Sequence, residues 1–233
     1  MAPIKTLILT ALLPEAQALK QGLQLTKVAA PVPFWTGDGV ALAVVGIHAA
    51  RLAEVAQIPA VASIRGVLMA GLAGALAPDL AVGDVVIDAP ASFTGALPHG
   101  ARLGRIHTAD AIIATPAEKQ RLFASTSCVA VDMETETARR FAKERGAAFL
   151  TVRAISDAAK DALDPALLHL IDDQGRPRIG RAVAMLCRNP EKLPSLLHLQ
   201  RATTMALSNL AAALREIRTS GWPDGAAIPR HSA

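Results

Sequence analysis

Val131 to Asp157 reads VDMETETARRFAKERGAAFLTVRAISD, a helix and then a strand held between two acidic centres. Thr135 to Arg145 has helical composition, and Gly146 is a natural stop because glycine adopts positive φ without strain. Ala147 to Ile155 is almost wholly apolar, the pattern of a strand covered on both faces. Ser156-Asp157 falls where that strand ends, and open α/β sheets bind ligands outside the carboxyl ends of their strands. Asp132 and Glu134 stand before the helix and Asp157 after the strand. Two carboxylates in different environments are what separate acid and base roles require. The plainer reading of each Asp is a helix cap, a position this residue favours.

Outward from this unit the same alternation continues. Thr6–Leu9, Val40–Val45, Val67–Ala70 and Val85–Ile87 are short apolar runs, mostly bounded by Gly or Asp, and read as strands. Glu15–Gly22 and Ala49–Ile58 read as helices. Thr115-Pro-Ala-Glu118 supplies a Thr cap, a Pro at the first helical position and a Glu at the third. The pattern predicts an α/β fold with a mainly parallel, doubly covered sheet. From Asp164 the texture becomes helix after helix. Asp164-Pro165 and Asn189-Pro190 each pair a cap with a proline, and Pro194 to Arg218 reads as one long helix. Residues 1–218 are expected to form a single domain, of which 164–218 is a helical C-terminal part. The turn formers of 219–233 make a flexible tail.

Composition removes several function classes. Hydrophobic residues make up 52% of the 233, enough for a large core and against global disorder. Aromatics are only 3% and Tyr is absent, so that core must be built from Ala, Leu, Val and Ile. The net charge of +4 is scattered, and no basic run is interleaved with aromatics, which speaks against nucleic acid as a partner. A basic balance suits a phosphate-bearing ligand or an anionic membrane surface instead. Cys128 and Cys187 form no CxxC pair and imply a reducing compartment. The apolar N-terminus lacks a small-residue cleavage site, and Leu7 to Thr10 reads as a first buried strand. No apolar run is long enough to span a bilayer, so a cytoplasmic location is expected. The six His residues show no metal-ligand spacing, and no Ser-His-Asp order or GxSxG elbow is present.

VDMETETA followed by FLTVRAISD resembles the signature of the nucleoside phosphorylase and nucleosidase superfamily. That superfamily includes purine nucleoside phosphorylases and methylthioadenosine/adenosylhomocysteine nucleosidases. Met69 to Ile87, MAGLAGALAPDLAVGDVVI, is similar to its glycine turn and Gly-Asp-Val-Val strand entry, and Leu12 to Ala16, LLPEA, is a shorter match. The resemblance implies a phosphorylase/hydrolase-like three-layer αβα fold with a central mixed, mainly parallel twisted sheet. It also implies cleavage of an N-glycosidic bond. As a purine leaves, positive charge builds on the ribose and negative charge on the base; a positioned general acid answers the second, worth about 10²–10⁴-fold.

On this resemblance Asp157, beside Ser156, is the acid near purine N7, with a raised pKa that burial could supply. Glu134 is the acceptor for the ribose 2′- and 3′-hydroxyls, a task that suits a group with several acceptor sites. Met133 is the apolar surface under the sugar, compatible with a core methionine. Glu15 is the acid that activates the attacking water; the plainer reading is a helix-start glutamate favoured by the dipole. Gly71 and Gly74 resemble a turn that lets backbone approach the ligand, and Leu72 stands where many relatives carry Ser or Thr. Asp110 matches an Asp before a base-binding position, and Ile112 occupies that often aromatic position. His48 and Arg51 are phosphate candidates, His48 being equally a helix-start residue, and Arg153 reads equally as an internal ion-pair partner or an anion ligand. No cofactor or metal is implied, and inorganic phosphate is the candidate co-substrate.

The C-terminal third narrows the resemblance. Asp172-Asp-Gln-Gly-Arg-Pro177 and Pro190-Glu-Lys-Leu-Pro-Ser-Leu-Leu197 are similar to the D-x-x-GRP and P-x-x-L-P-x-L-L of the hopanoid-associated phosphorylase branch. That branch implies removal of adenine from adenosylhopane. A triterpenoid at the ribose 5′ side demands an apolar groove, which the Leu-rich helices after Asp164 could line. Arg188, Lys192 and Arg201 flank them, as at a surface meeting anionic headgroups at the inner membrane face. The plainer reading of the Leu stripe is core. Alternatives are a methylthioadenosine/adenosylhomocysteine nucleosidase, a general purine nucleoside phosphorylase, or a non-catalytic nucleoside-binding protein. A small-molecule nucleoside is the expected partner, peripheral membrane contact accompanies the hopanoid reading, and a homodimer is the expected assembly.

Overall fold

The computed structural model describes residues 3–91, 93, 95–163, 193–220 and 222–223. In chain order the elements are β1 (Thr6–Thr10), α1 (Leu13–Gly22), β2 (Thr26–Val28), β3 (Phe34–Gly37), β4 (Val40–Val44), α2 (Leu52–Ala56), β5 (Gly66–Ala75), β6 (Val85–Asp88), β7 (Ala101–Leu103), β8 (Ile106–Thr108), α3 (Pro116–Thr126), β9 (Ala130–Asp132), α4 (Thr135–Glu144), β10 (Ala148–Asp157) and α5 (Leu193–Thr219). The helix openings at Asp164 and Asn189, the Asp172–Pro177 motif and most of the tail lie outside the described residues.

One mixed ten-stranded sheet runs in the order β2-β3-β4-β1-β5-β10-β6-β7, with β9 beside β5 and β8 beside β9. Its centre is parallel: β4, β1, β5 and β10 all point the same way. Period-two alternation sends Leu7 and Leu9 to one face with Val55 and Phe141, and Ile8 to the other with Leu19, Leu210 and Leu214. Helices α2 and α4 therefore cover one face and α1 and α5 the other, the expected three layers.

Local chemistry explains the elements nearest the site. Helix α4 buries Thr135, Ala138, Phe141 and Ala142, a stripe at helical spacing, and Gly146 follows it at φ +60°. Thr115 and Glu118 form a full capping box on α3. Strand β5 splits its pairing: Gly66–Met69 lie beside β1, whereas Gly74 and Ala75 pair antiparallel with β9. Between those pairings, on the edge away from β10, the Leu72 N–H meets the Glu15 carboxyl instead of another strand.

Two expectations change. The helix expected over Ala49–Ile58 is a 3-10 turn, Ile47–Ala49, followed by the short α2, because His48 and Ala49 adopt φ of 56° and 54° and interrupt the coil. The glycine turn expected at Gly71–Gly74 is the second half of β5. Glycine inside a strand often marks close approach of another group, and the group here belongs to the protein itself.

Candidate active site

Four parallel strand ends deliver the side chains. Glu15 follows β1, His48 follows β4, Leu72 lies near the end of β5, and Arg153, Ser156 and Asp157 finish β10. Antiparallel β9 brings Asp132, with Met133 and Glu134 just beyond it.

Arg153 is the hub. Its guanidinium is fully buried and donates to Asp132 Oδ2 through Nε (2.8 Å) and Nη2 (2.5 Å), and to Glu134 Oε2 through Nη2 (3.1 Å). A buried charge persists only when paired, and here the ion-pair reading of Arg153 is the one the geometry shows. Asp132 also closes the start of α4, accepting from the Thr135 backbone N–H at 3.2 Å and from the Thr135 hydroxyl. It faces away from solvent and acts as scaffold. Glu134 accepts from the His48 backbone N–H at 3.2 Å, which the left-handed conformation of His48 aims inward.

Glu15 is buried at the start of α1. Its Oε2 accepts the Leu12 N–H and its Oε1 the Leu72 N–H, each at 2.9 Å. It is thus a capping residue and a candidate site residue at once. Burial raises its pKa from 4.5 to about 7, opposed by the charge of Arg153 and by the two backbone donors. Glu134 is also raised, by burial first, with Arg153 opposing. Three buried carboxyls surround one guanidinium, so ionisation of more than one leaves net negative charge, a setting that favours positive charge developing on a ligand.

Asp157 closes the other end. Its Oδ1 accepts the Ser156 hydroxyl at 2.7 Å and its Oδ2 the Lys119 ammonium at 2.5 Å. Ser156 is the extra residue of a β-bulge, since Ile155 lies opposite Ala73 and Asp157 opposite Gly74. Bulges re-aim side chains beside functional sites. Arg153 lies opposite Gly71 in the same register, so the two acidic centres are separated by three β5 residues, roughly 10 Å.

The glycines make room for these groups. A Cβ at Gly71 would run into Arg153 Nη1 and lie 2.7 Å from Glu15 Oε1; one at Gly74 would lie 3.1 Å from Asp157 Oδ2. Gly71→Ala is expected to lose about 1–3 kcal/mol of stability by overpacking. Its thermal melt, compared with that of Gly74→Ala, should show the larger fall for Gly71→Ala.

The remaining candidates are placed as follows. Leu72 contributes its backbone: the N–H holds Glu15, and its carbonyl lies 3.4 Å from Arg153 Nη1. Met133 is half-buried between Asp132 and Glu134. Asp110 and Ile112 are exposed on the loop between β8 and α3. The His48 side chain is exposed, and the Arg51 guanidinium is taken up by Glu54 and the Pro31 carbonyl. Lys119 was not among the expected site residues: it sits in the polar run EKQR, residues 118–121, which reads as a solvated helix face. Among the described residues, no group of three His, Cys, Asp or Glu could hold a metal ion.

Comparison with known proteins agrees with this fold. Residues 89–188 match the sequence model of the phosphorylase superfamily. No curated protein matches the chain. Among solved structures, the 5′-methylthioadenosine/S-adenosylhomocysteine nucleosidase of Helicobacter pylori, with butyl-thio-DADMe-Immucillin-A, superposes with a TM-score of 0.65. It is 16% identical, over 94% of this chain and 99% of that one. The corresponding nucleosidase of Neisseria meningitidis, with methylthio-immucillin-A, gives 0.64 at 18% identity over 93% and 99%. The futalosine hydrolase of Helicobacter pylori gives 0.63 at 16% identity over 93% and 98%. These likenesses show a shared fold, and over residues 89–188 the sequence is similar to the phosphorylase superfamily.

Proposed function

We propose that this protein hydrolyses the N-glycosidic bond of a 5′-substituted adenosine and releases adenine. The observation that carries the reading is the placement of Glu15, Glu134 and Asp157. Glu15 follows β1, Glu134 follows β9 and Asp157 ends β10, with Glu134 bonded to Arg153, Glu15 close to its charge and Asp157 roughly 10 Å along the sheet. Asp157 donates toward the departing base, Glu134 accepts from the ribose hydroxyls, and Glu15 takes the proton of the attacking water. A base works best when its pKa lies near the working pH, and Glu15 at about 7 meets that condition. The solved structures named above support the substrate class: two are 5′-methylthioadenosine/S-adenosylhomocysteine nucleosidases with immucillin ligands, and one is a futalosine hydrolase.

Water is favoured over phosphate as the nucleophile. The site gathers three carboxyls around one guanidinium, Leu72 offers no hydroxyl, and Arg51 is engaged with Glu54. For the 5′ substituent, the resemblance of Asp172–Pro177 and Pro190–Leu197 favours the apolar polycycle of adenosylhopane. Exposed Leu197 and Met205 on α5 provide apolar surface in keeping with that substituent. Among the described residues no helix is long and apolar enough to cross a membrane.

The test is adenine release from methylthioadenosine and from an adenosine bearing a bulky apolar 5′ group, each with and without phosphate. Release without phosphate, faster for the bulky group, is the expected result. Release only with phosphate makes the reaction a phosphorolysis. Preference for methylthioadenosine removes the polycyclic substituent from the proposal.

A further inference from the structure

Lys119 is fully buried, and nothing in the reaction as described above uses it. An ammonium has three N–H donors, and each meets an acceptor: Asp157 Oδ2 at 2.5 Å, Ala158 O at 2.9 Å and Asp161 O at 3.0 Å. The turn it grips is itself closed, with Asp161 Oδ2 accepting the Ala158 N–H and Ala158 O accepting the Asp161 N–H. Lys119 lies in the first turn of α3, whose capping box fixes where the helix begins. Just ahead of that cap is the loop carrying Asp110 and Ile112, and Leu163 N donates to Ala114 O at 2.9 Å to tie this loop to the chain beyond Asp157. Burying an ammonium is costly unless it is paired and hydrogen-bonded. A core position filled this way, against one carboxylate oxygen, points to a use for the charge.

We propose that Lys119 is a positioning residue that fixes the Asp157 carboxyl and supplies its counter-charge during proton donation to the leaving base. This rests on the reading of Asp157 as the acid. Asp157 takes a proton from solvent before each turnover; when that O–H bond breaks and the proton goes to the base nitrogen, the carboxylate left behind is met again by the ammonium. Lys119 keeps its own protons throughout. With one oxygen held by Lys119, the carboxyl cannot rotate, and Ser156 orients the other oxygen from the opposite side. The charge is therefore preorganised where negative charge develops, the arrangement that lowers a barrier without reorganisation.

Leaving-group dependence separates this role from a merely structural one. Lys119→Met is expected to slow adenine release by about 10²-fold, while a nitrophenyl ribofuranoside, whose leaving group departs without protonation, is cleaved at nearly the wild-type rate. Equal losses on both substrates overturn the proposal. If the wild type cleaves neither, it is the reading of the site as a glycosidic one that has failed, before Lys119 is in question. Should Lys119→Met not fold, Lys119→Met/Asp157→Asn, neutral at both positions, is compared with Asp157→Asn alone. Residues acting as one unit are non-additive, so the same residual rate supports the proposal and a further tenfold loss contradicts it.

Discussion

Glu15→Gln is expected to lose about 10²–10⁴-fold in the rate of adenine release while making the folded chain more stable above pH 7. The rate falls because the amide cannot take a proton from water. Stability rises because the wild-type carboxyl ionises in a buried place. Its pKa moves from 4.5 to about 7 on folding, so the fold favours the protonated form. The contribution is fully present below about pH 4.5 and is lost as the pH rises through 7. The difference corresponds to roughly 3 kcal/mol. Gln keeps one acceptor for Leu72 N–H but turns its amide nitrogen toward Leu12 N–H, leaving an expected gain of about 1–2 kcal/mol at pH 8–9. At pH 4–4.5 the gain disappears. Thermal or denaturant melts of both proteins across pH 4 to 9 measure it, and equal stabilities at every pH would count against a buried, ionising Glu15. The wild-type rate should fall as the pH drops through about 7, because the protonated carboxyl is no longer a base.

Arg153→Met is expected to be the most damaging single change to the fold. The guanidinium serves Asp132 twice and Glu134 once, and its charge also opposes the burial of Glu15. Methionine fills much of the volume but leaves buried carboxylates with no counter-charge. Breaking a buried pair from one side costs about 3–5 kcal/mol, which for a chain of this size lowers Tm by roughly 6–20 °C. The deficit is largest at high pH. Without Arg153, Glu15 and Glu134 rise further above their unfolded values, so the deficit relative to wild type widens as the pH climbs through their wild-type range, about 7 for Glu15. A deficit that stays constant from pH 5 to 8 would assign the damage to packing alone.

How much of this was legible follows from the physics of each residue. Val131–Asp157 declared itself: a helix with a stripe at 3.6-residue spacing, a glycine stop and a doubly buried strand are local signals. The structure places them at α4 and β10 with ends shifted by one or two residues. The carboxylates at those ends could be read because strand ends in an α/β sheet are where ligands bind. Arg153 carried a half-used signal, since a charge amid apolar strand residues has to be paired, but its partners come from β9 and from beyond it. Gly71 and Gly74 gave the right message, close approach, and the wrong partner. The space they leave is filled by Arg153, Glu15 and Asp157 instead of being left to a ligand. Lys119 had no local signal at all. Its neighbours Glu118 and Gln120 are exposed, and only the packing of α3 against the end of β10 turns this one position inward. The short strands β2, β3, β7, β8 and β9 are too brief for periodicity to register; pairing defines them.

The most direct test of the account compares wild type with Asp157→Asn in two assays on one 5′-alkylthioadenosine: single-turnover adenine release, and equilibrium binding of a non-cleavable analogue. Binding is expected to stay within a few fold and release to slow by about 10²–10⁴-fold. Release by Asp157→Asn at the wild-type rate, with binding likewise unchanged, would contradict it.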